Sequence, residues 1–213
     1  MFIQILVDNK KSWIMDHVPY IIQKLNELGH KVHLVHDSKQ IKKGDTLFLL
    51  SCEKIFNRTE LNKHNIVIHA SELPTGKGFS PMTWQILEGK NEIPLTLFEA
   101  NLKIDSGKIY FKDKIQLNGG ELIDEIRKLM ADKICTLVIK FINNIDCLLS
   151  TDQIGEDSFY RRRRPSDSFL DINKTIKEQF NLLRVVDNER YPAFFTRDNT
   201  EYIVKIYKKE NRE

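Results

Sequence analysis

The chain has 213 residues, 41% hydrophobic and 30% charged, with 33 Lys and Arg against 30 Asp and Glu for a formal charge of +3. That length holds one good core, or one core with a small appendage, and the composition carries neither a disorder signature nor a low-complexity tract. The charge balance is too even to argue by itself for a nucleic-acid partner, and no stretch approaches the roughly 20 apolar residues that span a bilayer.

Phe2 to Val7 reads as the first strand; its apolar run is short and no positive leader precedes it, so it does not read as a signal peptide. Asn9, Ser12 and Trp13 follow. In open α/β sheets ligands gather beyond the carboxyl ends of the strands, which makes these three candidates for holding a substrate, although Trp13 equally suits a hydrophobic staple at a helix start. Trp13, Ile14, Val18, Ile21, Ile22, Leu25 and Leu28 recur at helical spacing and Gly29 closes the run, with Pro19 either interrupting the helix or marking its true start. Val32 to Val35 and Leu47 to Leu50 are the next strands, and Ser51, Cys52, Glu53 and Lys54 form a loop at the same sheet edge. Ile66 to Ile68 reads as a buried parallel strand with His69 at its carboxyl end.

Lys77 lies between Gly76 and Gly78, where small neighbours would let a phosphate approach; a solvated lysine in a flexible turn is the plainer reading. Trp84 reads as core. Leu95 to Phe98 is a further apolar strand, leading through Glu99 to Lys103 towards Asp105 and the turn Ser106-Gly107. Asn118-Gly119-Gly120 opens a long helix over Glu121 to Asn143. Beyond Asp146 the composition shifts. Ser150 to Ser158 is polar and Phe159 to Ser168 is the most basic stretch. A helix over Asn173 to Val186 follows, then two strands, Ala193 to Thr196 and Tyr202 to Tyr207, paired through Asp198-Asn199. Short strands alternating with helices argue an α/β sheet over residues 1–147, with a small C-terminal module over 148–213. Cys52, Cys135 and Cys147 are scattered without a C-x-x-C pair, which suits a reducing cytoplasm and argues against a disulfide framework or a zinc site.

His69 and Asp105 stand on loops after two candidate strands. If those strands are neighbours, the carboxylate reaches the imidazole and the pair can do acid–base chemistry; a structural histidine and an ordinary turn aspartate are the alternative. His69-Ala70-Ser71-Glu72-Leu73-Pro74, Gly76-Lys77-Gly78, Pro81, Trp84, Gly89 and Asp105-Ser106-Gly107 together resemble the 10-formyltetrahydrofolate-dependent formyltransferases. That family includes methionyl-tRNA formyltransferase, glycinamide ribonucleotide formyltransferase and the sugar N-formyltransferases.

The resemblance implies a Rossmann-like α/β catalytic domain with a mostly parallel sheet and a small C-terminal α+β module. It implies 10-formyltetrahydrofolate as co-substrate, no metal, and His69 and Asp105 as catalytic residues. It also implies a folate pocket between Ser51, Cys52 and Glu53 on one side and Asn101 and Lys103 on the other. One seat departs from the pattern: the family usually has an Asn two residues before the His, donating to the formyl oxygen, and here that residue is Val67. Arg163-Arg164-Pro165-Ser166-Asp167-Ser168, and Leu183-Arg184-Val185-Val186 with Tyr191-Pro192-Ala193-Phe194, look like the sugar-nucleotide branch. This adds Arg163 and Arg164 to Asn9, Ser12, Trp13 and Lys77 as candidates for holding the acceptor.

The chain as a whole is similar to formyltransferases of pseudaminic acid type pathways. The acceptor so implied is a UDP-linked 4-amino-4,6-dideoxy sugar destined for a surface glycan, handled in the cytoplasm without nucleic acid or membrane, and a homodimer stays open. A methionyl-tRNA formyltransferase is the first rival, though such enzymes normally add a longer C-terminal domain. Val67 also permits a non-catalytic protein that binds folate or a nucleotide sugar.

Overall fold

A computed structural model describes residues 1–209. In chain order its elements are β1 (Phe2–Leu6), α1 (Val18–Glu27), β2 (Lys31–Val35), β3 (Gly44–Leu49), β4 (Asn62–His69), β5 (Lys77–Gly78) and α2 (Pro81–Leu87). There follow β6 (Glu92–Glu99), β7 (Ile109–Gln116), α3 (Ile123–Asn144), β8 (Phe159–Tyr160), α4 (Phe180–Val185), β9 (Ala193–Arg197) and β10 (Thr200–Val204). The main sheet has six strands in the order β2-β1-β3-β4-β6-β7.

The first four strands in that order run parallel, and Leu6 lies opposite both Val35 and Leu49, which in turn faces Val67. Their carboxyl ends are therefore level, so the loops that follow β1, β3 and β4 share one edge of the sheet. β1 and β3 are buried on both faces, which is why they read as continuous apolar runs rather than as an alternation. One face packs Ile3, Ile5, Phe48, Ile66 and Leu97 against Ile21 and Leu25 of α1 and Leu137 and Phe141 of α3. The opposite face carries a smaller cluster with Leu47, Leu49 and Phe56.

Several elements differ from the sequence expectation. The helix expected from Trp13 is split into a 3-10 turn over Trp13–Asp16 and α1, with Pro19 in the first turn of α1, where its missing N–H costs nothing. β7 was not expected at all. It is the outer strand of the sheet, and the lysines and aspartate that hide its apolar signal suit an edge exposed to water. β6 runs antiparallel to β4, so Glu99 at its carboxyl end lies opposite Ile66 while His69 lies opposite Thr96. Of the helix expected over Asn173 to Val186, only α4 forms. The preceding residues are held in turns, with the Gln179 side chain accepting from the Asp171 N–H and donating to the Asp171 carbonyl.

The C-terminal residues have a small cluster of their own, made by Leu170, Leu183, Val186 and Ala193, yet Val185 packs into the main core. β9 and β10 pair antiparallel through Asp198 and Asn199. Residues 150–158 double back over the sheet, bridging at Thr151 to Ile109 and ending in β8, which pairs with β5. Among the described residues no helix is long and apolar enough to cross a membrane.

Candidate active site

His69 is the last residue of β4, and its side chain is only 10% exposed. The loop after it is pinned from two sides: Thr96 Oγ1 donates to the Ser71 carbonyl at 2.7 Å, and Gln85 Nε2 donates to the Ala70 carbonyl at 2.6 Å. Held in this way, the loop turns back until the Gly76 carbonyl accepts from His69 Nε2 at 2.9 Å. A carbonyl only accepts, so Nε2 carries the proton and Nδ1 is the nitrogen left for another partner.

Asp105 reaches the imidazole by a route the strands alone do not provide. Because β6 ends away from His69, the segment after it folds back. Asp105 takes a left-handed backbone (φ 47°), and Gly107 passes so close to Glu99 that a Cβ there would lie 1.5 Å from its carbonyl oxygen. Only glycine permits that approach, which gives the Asp-x-Gly spacing a physical reason. Asp105 Oδ2 then accepts from the Gly78 N–H at 2.9 Å and stands 3.8 Å from His69 Nε2. Gly78 has a positive φ of 94°, and a Cβ on it would lie 2.4 Å from the Tyr160 carbonyl oxygen.

His69 and Asp105 both open onto a cavity of about 780 Å³ at the carboxyl edge of the sheet. Asn9, Ser12 and Trp13 line it from the loop after β1, and Ser51, Cys52 and Glu53 from the loop after β3. Asn101 and Lys103 contribute from the segment after β6, and Arg163 and Arg164 from the C-terminal residues. Val67, two residues before His69 on the same strand face, also lines the cavity with an apolar side chain.

The two strand-end loops are tied together. Ser12 Oγ donates to Ser51 Oγ at 2.9 Å, and Asn9 Nδ2 donates to Glu53 Oε1 at 2.8 Å. The other Glu53 oxygen accepts from Arg162 at 2.8 Å, and that bond holds the Glu53 carboxyl below its ordinary range. The Cys52 thiol donates to the Leu6 carbonyl at 3.2 Å, and burial pushes its pKa up to about 12, which makes it a neutral wall group and not a nucleophile. Arg163 donates to the Asp167 carbonyl and to Ser168 Oγ, both at 3.2 Å, while its buried Nε has no partner among the described residues.

Lys77 does not line the cavity, and it is not the solvated lysine of a flexible turn. It is 2% exposed, and Nζ donates to Asp157 Oδ1 at 2.7 Å and to Ser106 Oγ at 3.1 Å. Trp84 is half-buried, its indole donating to the Arg161 carbonyl at 2.8 Å with the Arg161 guanidinium 4.7 Å from the ring. Sequence reasoning missed Arg162, the bridge to Glu53, and also Arg127, Asp187, Arg190 and Tyr191, which line the same cavity. No local pattern marks them, since α3 and the residues after α4 meet only in the folded chain.

No protein-family model matches the chain. It is 28% identical over 152 residues to the bifunctional polymyxin resistance protein ArnA of Wigglesworthia glossinidia brevipalpis, covering 68% of this chain and 22% of that protein. It is 27% identical over 180 residues to the methionyl-tRNA formyltransferase of Parabacteroides distasonis, covering 78% of this chain and 53% of that one. The chain thus spans about half the length of the second relative and about a fifth of the first.

Among solved structures, methionyl-tRNA formyltransferase from Clostridium thermocellum superposes with a TM-score of 0.81 at 19% identity, over 100% of this chain and 94% of that one. The fold is the formyltransferase fold. A 4-N formyltransferase from Francisella tularensis shares it with a TM-score of 0.73 at 17% identity, over 98% of each chain. HypX from Aquifex aeolicus, in complex with tetrahydrofolic acid, does so with a TM-score of 0.77 at 15% identity, over 96% of this chain and 37% of that one. In this formyltransferase fold the cavity lies where the aligned strand ends meet the C-terminal residues, and its wall holds an imidazole, one nitrogen of which has no partner among the described residues, beside a carboxylate. That arrangement can take a proton from one group and stabilise charge on its neighbour.

Proposed function

We propose that the protein is an N-formyltransferase that moves the formyl group of 10-formyltetrahydrofolate to the amine of a UDP-linked 4-amino-4,6-dideoxy sugar, in the making of a surface glycan of the pseudaminic acid type. The observation that carries the transfer reaction is the meeting of His69 and Asp105, 3.8 Å apart, in the wall of one cavity. The sugar rests on the resemblance of the Arg163-Arg164-Pro165 stretch and on where that stretch lies. Its two arginines line the cavity, and guanidinium groups suit the oxygens of a diphosphate.

The co-substrate supplies an activated formyl carbon; the chain supplies position and proton handling. With Nε2 committed to the Gly76 carbonyl, His69 Nδ1 accepts the proton that the attacking amine loses and returns it to N10 of the folate as the bond from N10 to the formyl carbon breaks. The imidazolium so formed lies beside the Asp105 carboxylate, which stabilises it. Val67 supplies no donor to the oxygen that gains charge, so the charged imidazole, backbone N–H groups and water carry that task. The folate would lie between Ser51 to Glu53 and Asn101 to Lys103, over an apolar floor that includes Leu49, Phe56 and Phe98.

The test is a direct assay. Purified protein, 10-formyltetrahydrofolate and a UDP-linked 4-amino-4,6-dideoxy sugar should yield a formamido sugar and tetrahydrofolate in equal amounts. Transfer to methionyl-tRNA instead would replace the acceptor and keep the reaction. Tight binding of both compounds with no product from any amine would overturn the enzymatic reading in favour of a binding protein.

A further inference from the structure

Residues 150–158, polar and without regular structure, pack onto the two loops that carry His69 and Asp105, and Lys77 is at the centre of the contact. Its ammonium donates to Asp157 and Ser106, and the Phe159 ring lies 5.9 Å away. Its neighbours in the chain are the two glycines that hold the acid–base pair. The Gly76 carbonyl receives His69 Nε2, and the Gly78 N–H goes to Asp105. Ser106, on which the ammonium also acts, directly follows Asp105.

The same segment makes four more bonds to these loops. The Lys77 N–H donates to the Ser158 carbonyl at 2.8 Å and the Gly76 N–H donates to Ser158 Oγ at 2.8 Å. Gln153 Nε2 donates to the carbonyls of Asp105 at 3.0 Å and Gly107 at 2.9 Å. A buried ammonium is costly to desolvate, and an apolar side chain of the same size commonly serves stability as well or better. What an apolar residue cannot do is hold three chain segments in one register by directed bonds.

We infer that Lys77 and Asp157 form a positioning pair for the acid–base site, fixing through Ser106 and the flanking glycines the separation and orientation of His69 and Asp105. The kinetic part of the test rests on the transfer reaction proposed above; a spectroscopic part does not. Lys77→Met should lower kcat by about a hundredfold, the usual effect of an ångström-scale misplacement, while KM for either substrate moves by less than about threefold. Asp157→Asn, a change on the half-exposed side of the pair, should act in the same direction with little loss of melting temperature, and Asp157→Glu should restore most of the rate.

Independently of turnover, the His69 Nε2 proton, held by Gly76, should give a resolved ring N–H resonance in the unaltered protein that broadens or disappears in Lys77→Met and Asp157→Asn. An unchanged resonance with unchanged kcat overturns the inference, and so does a rise in KM alone, which would mark Lys77 as a ligand contact. A lower melting temperature with full kcat and an intact resonance also overturns it, because it leaves the pair a purely structural role. If the unaltered protein transfers no formyl group, the reaction proposed above fails and the resonance alone decides the pair.

Discussion

At the scale of single residues, the imidazole of His69 is half committed: Nε2 serves the Gly76 carbonyl, and Nδ1 makes no hydrogen bond among the described residues. Replacing His69 with Ala, or Asp105 with Asn, should cut turnover by about two orders of magnitude in a protein that remains folded; steady-state rates beside a circular dichroism melt check this, and near-normal rates would remove both from the mechanism. Val67 allows the opposite experiment. Its side chain shares a strand face with His69 and lines the cavity, so Val67→Asn would place an amide donor near the oxygen that gains charge. Turnover should rise, by up to about a hundredfold, at a stability cost of about 1–3 kcal/mol for the partly buried amide. A fall in rate equal to that of Val67→Ala would mean that the amide does not reach that oxygen.

His69 and Asp105 were legible as candidates because a histidine at a strand end and an Asp-x-Gly turn are local patterns. The burial of Lys77 was not. A lysine between two glycines looks solvated until Asp157, far along the chain, is brought beside it.

At the scale of elements, the turn over Arg164 to Ser168 sets the two arginines of the cavity wall. Asp167 organises it, accepting from the Arg161 guanidinium and from the Arg164 N–H. The Arg161 hydrogen bond is the main reason that its carboxyl falls from an ordinary 3.8 to about 2. A depressed folded pKa gives stability that is complete above the unfolded value and is lost as protons bind. The contribution of this turn should thus be full above about pH 4 and disappear as the pH falls towards 2. A carboxyl-carbon NMR titration of Asp167 with a midpoint near 2 would show it, and a midpoint near 4 would count against the ion pair.

Asp167→Asn should remove that titration and, by loosening Arg163, raise KM for the acceptor proposed above severalfold. The arginine run was plain in the sequence, but its direction was not. Edge strand β7 and the truncated helix before Phe180 were lost for a related reason. Charges on a solvent-facing edge mask the period of two, and Gln179 diverts the residues before it into turns.

At the scale of the whole molecule, the C-terminal residues and the sheet are joined by a buried ionic contact. Arg184 is 1% exposed, donating to Glu121 Oε2 at 3.0 Å, to the Glu121 carbonyl at 3.1 Å and to Asn91 Oδ1 at 2.9 Å. Arg184→Ala leaves the Glu121 carboxylate largely buried without its cation and should destabilise the protein by about 3–5 kcal/mol, lowering the melting temperature by roughly 10 °C for a chain of this size. Calorimetry checks the size of the effect; a loss below about 1 kcal/mol would mean that water replaces the cation. Since Val185 and Asp187 beside this anchor also line the cavity, the same variant should weaken substrate binding before it melts.

The amino-acid sequence by itself determined the first four strands of the α/β half, the long helix that closes it, the glycine that ends the first helix and the histidine at a strand end, because hydrophobic period and turn chemistry act over a few residues. Only the tertiary structure decided that β6 turns antiparallel, that Asp105 returns to His69 over a glycine pressed against Glu99, and that a polar segment closes on Lys77. Those outcomes depend on contacts between residues far apart in the chain, whose geometry exists only once the sheet has assembled.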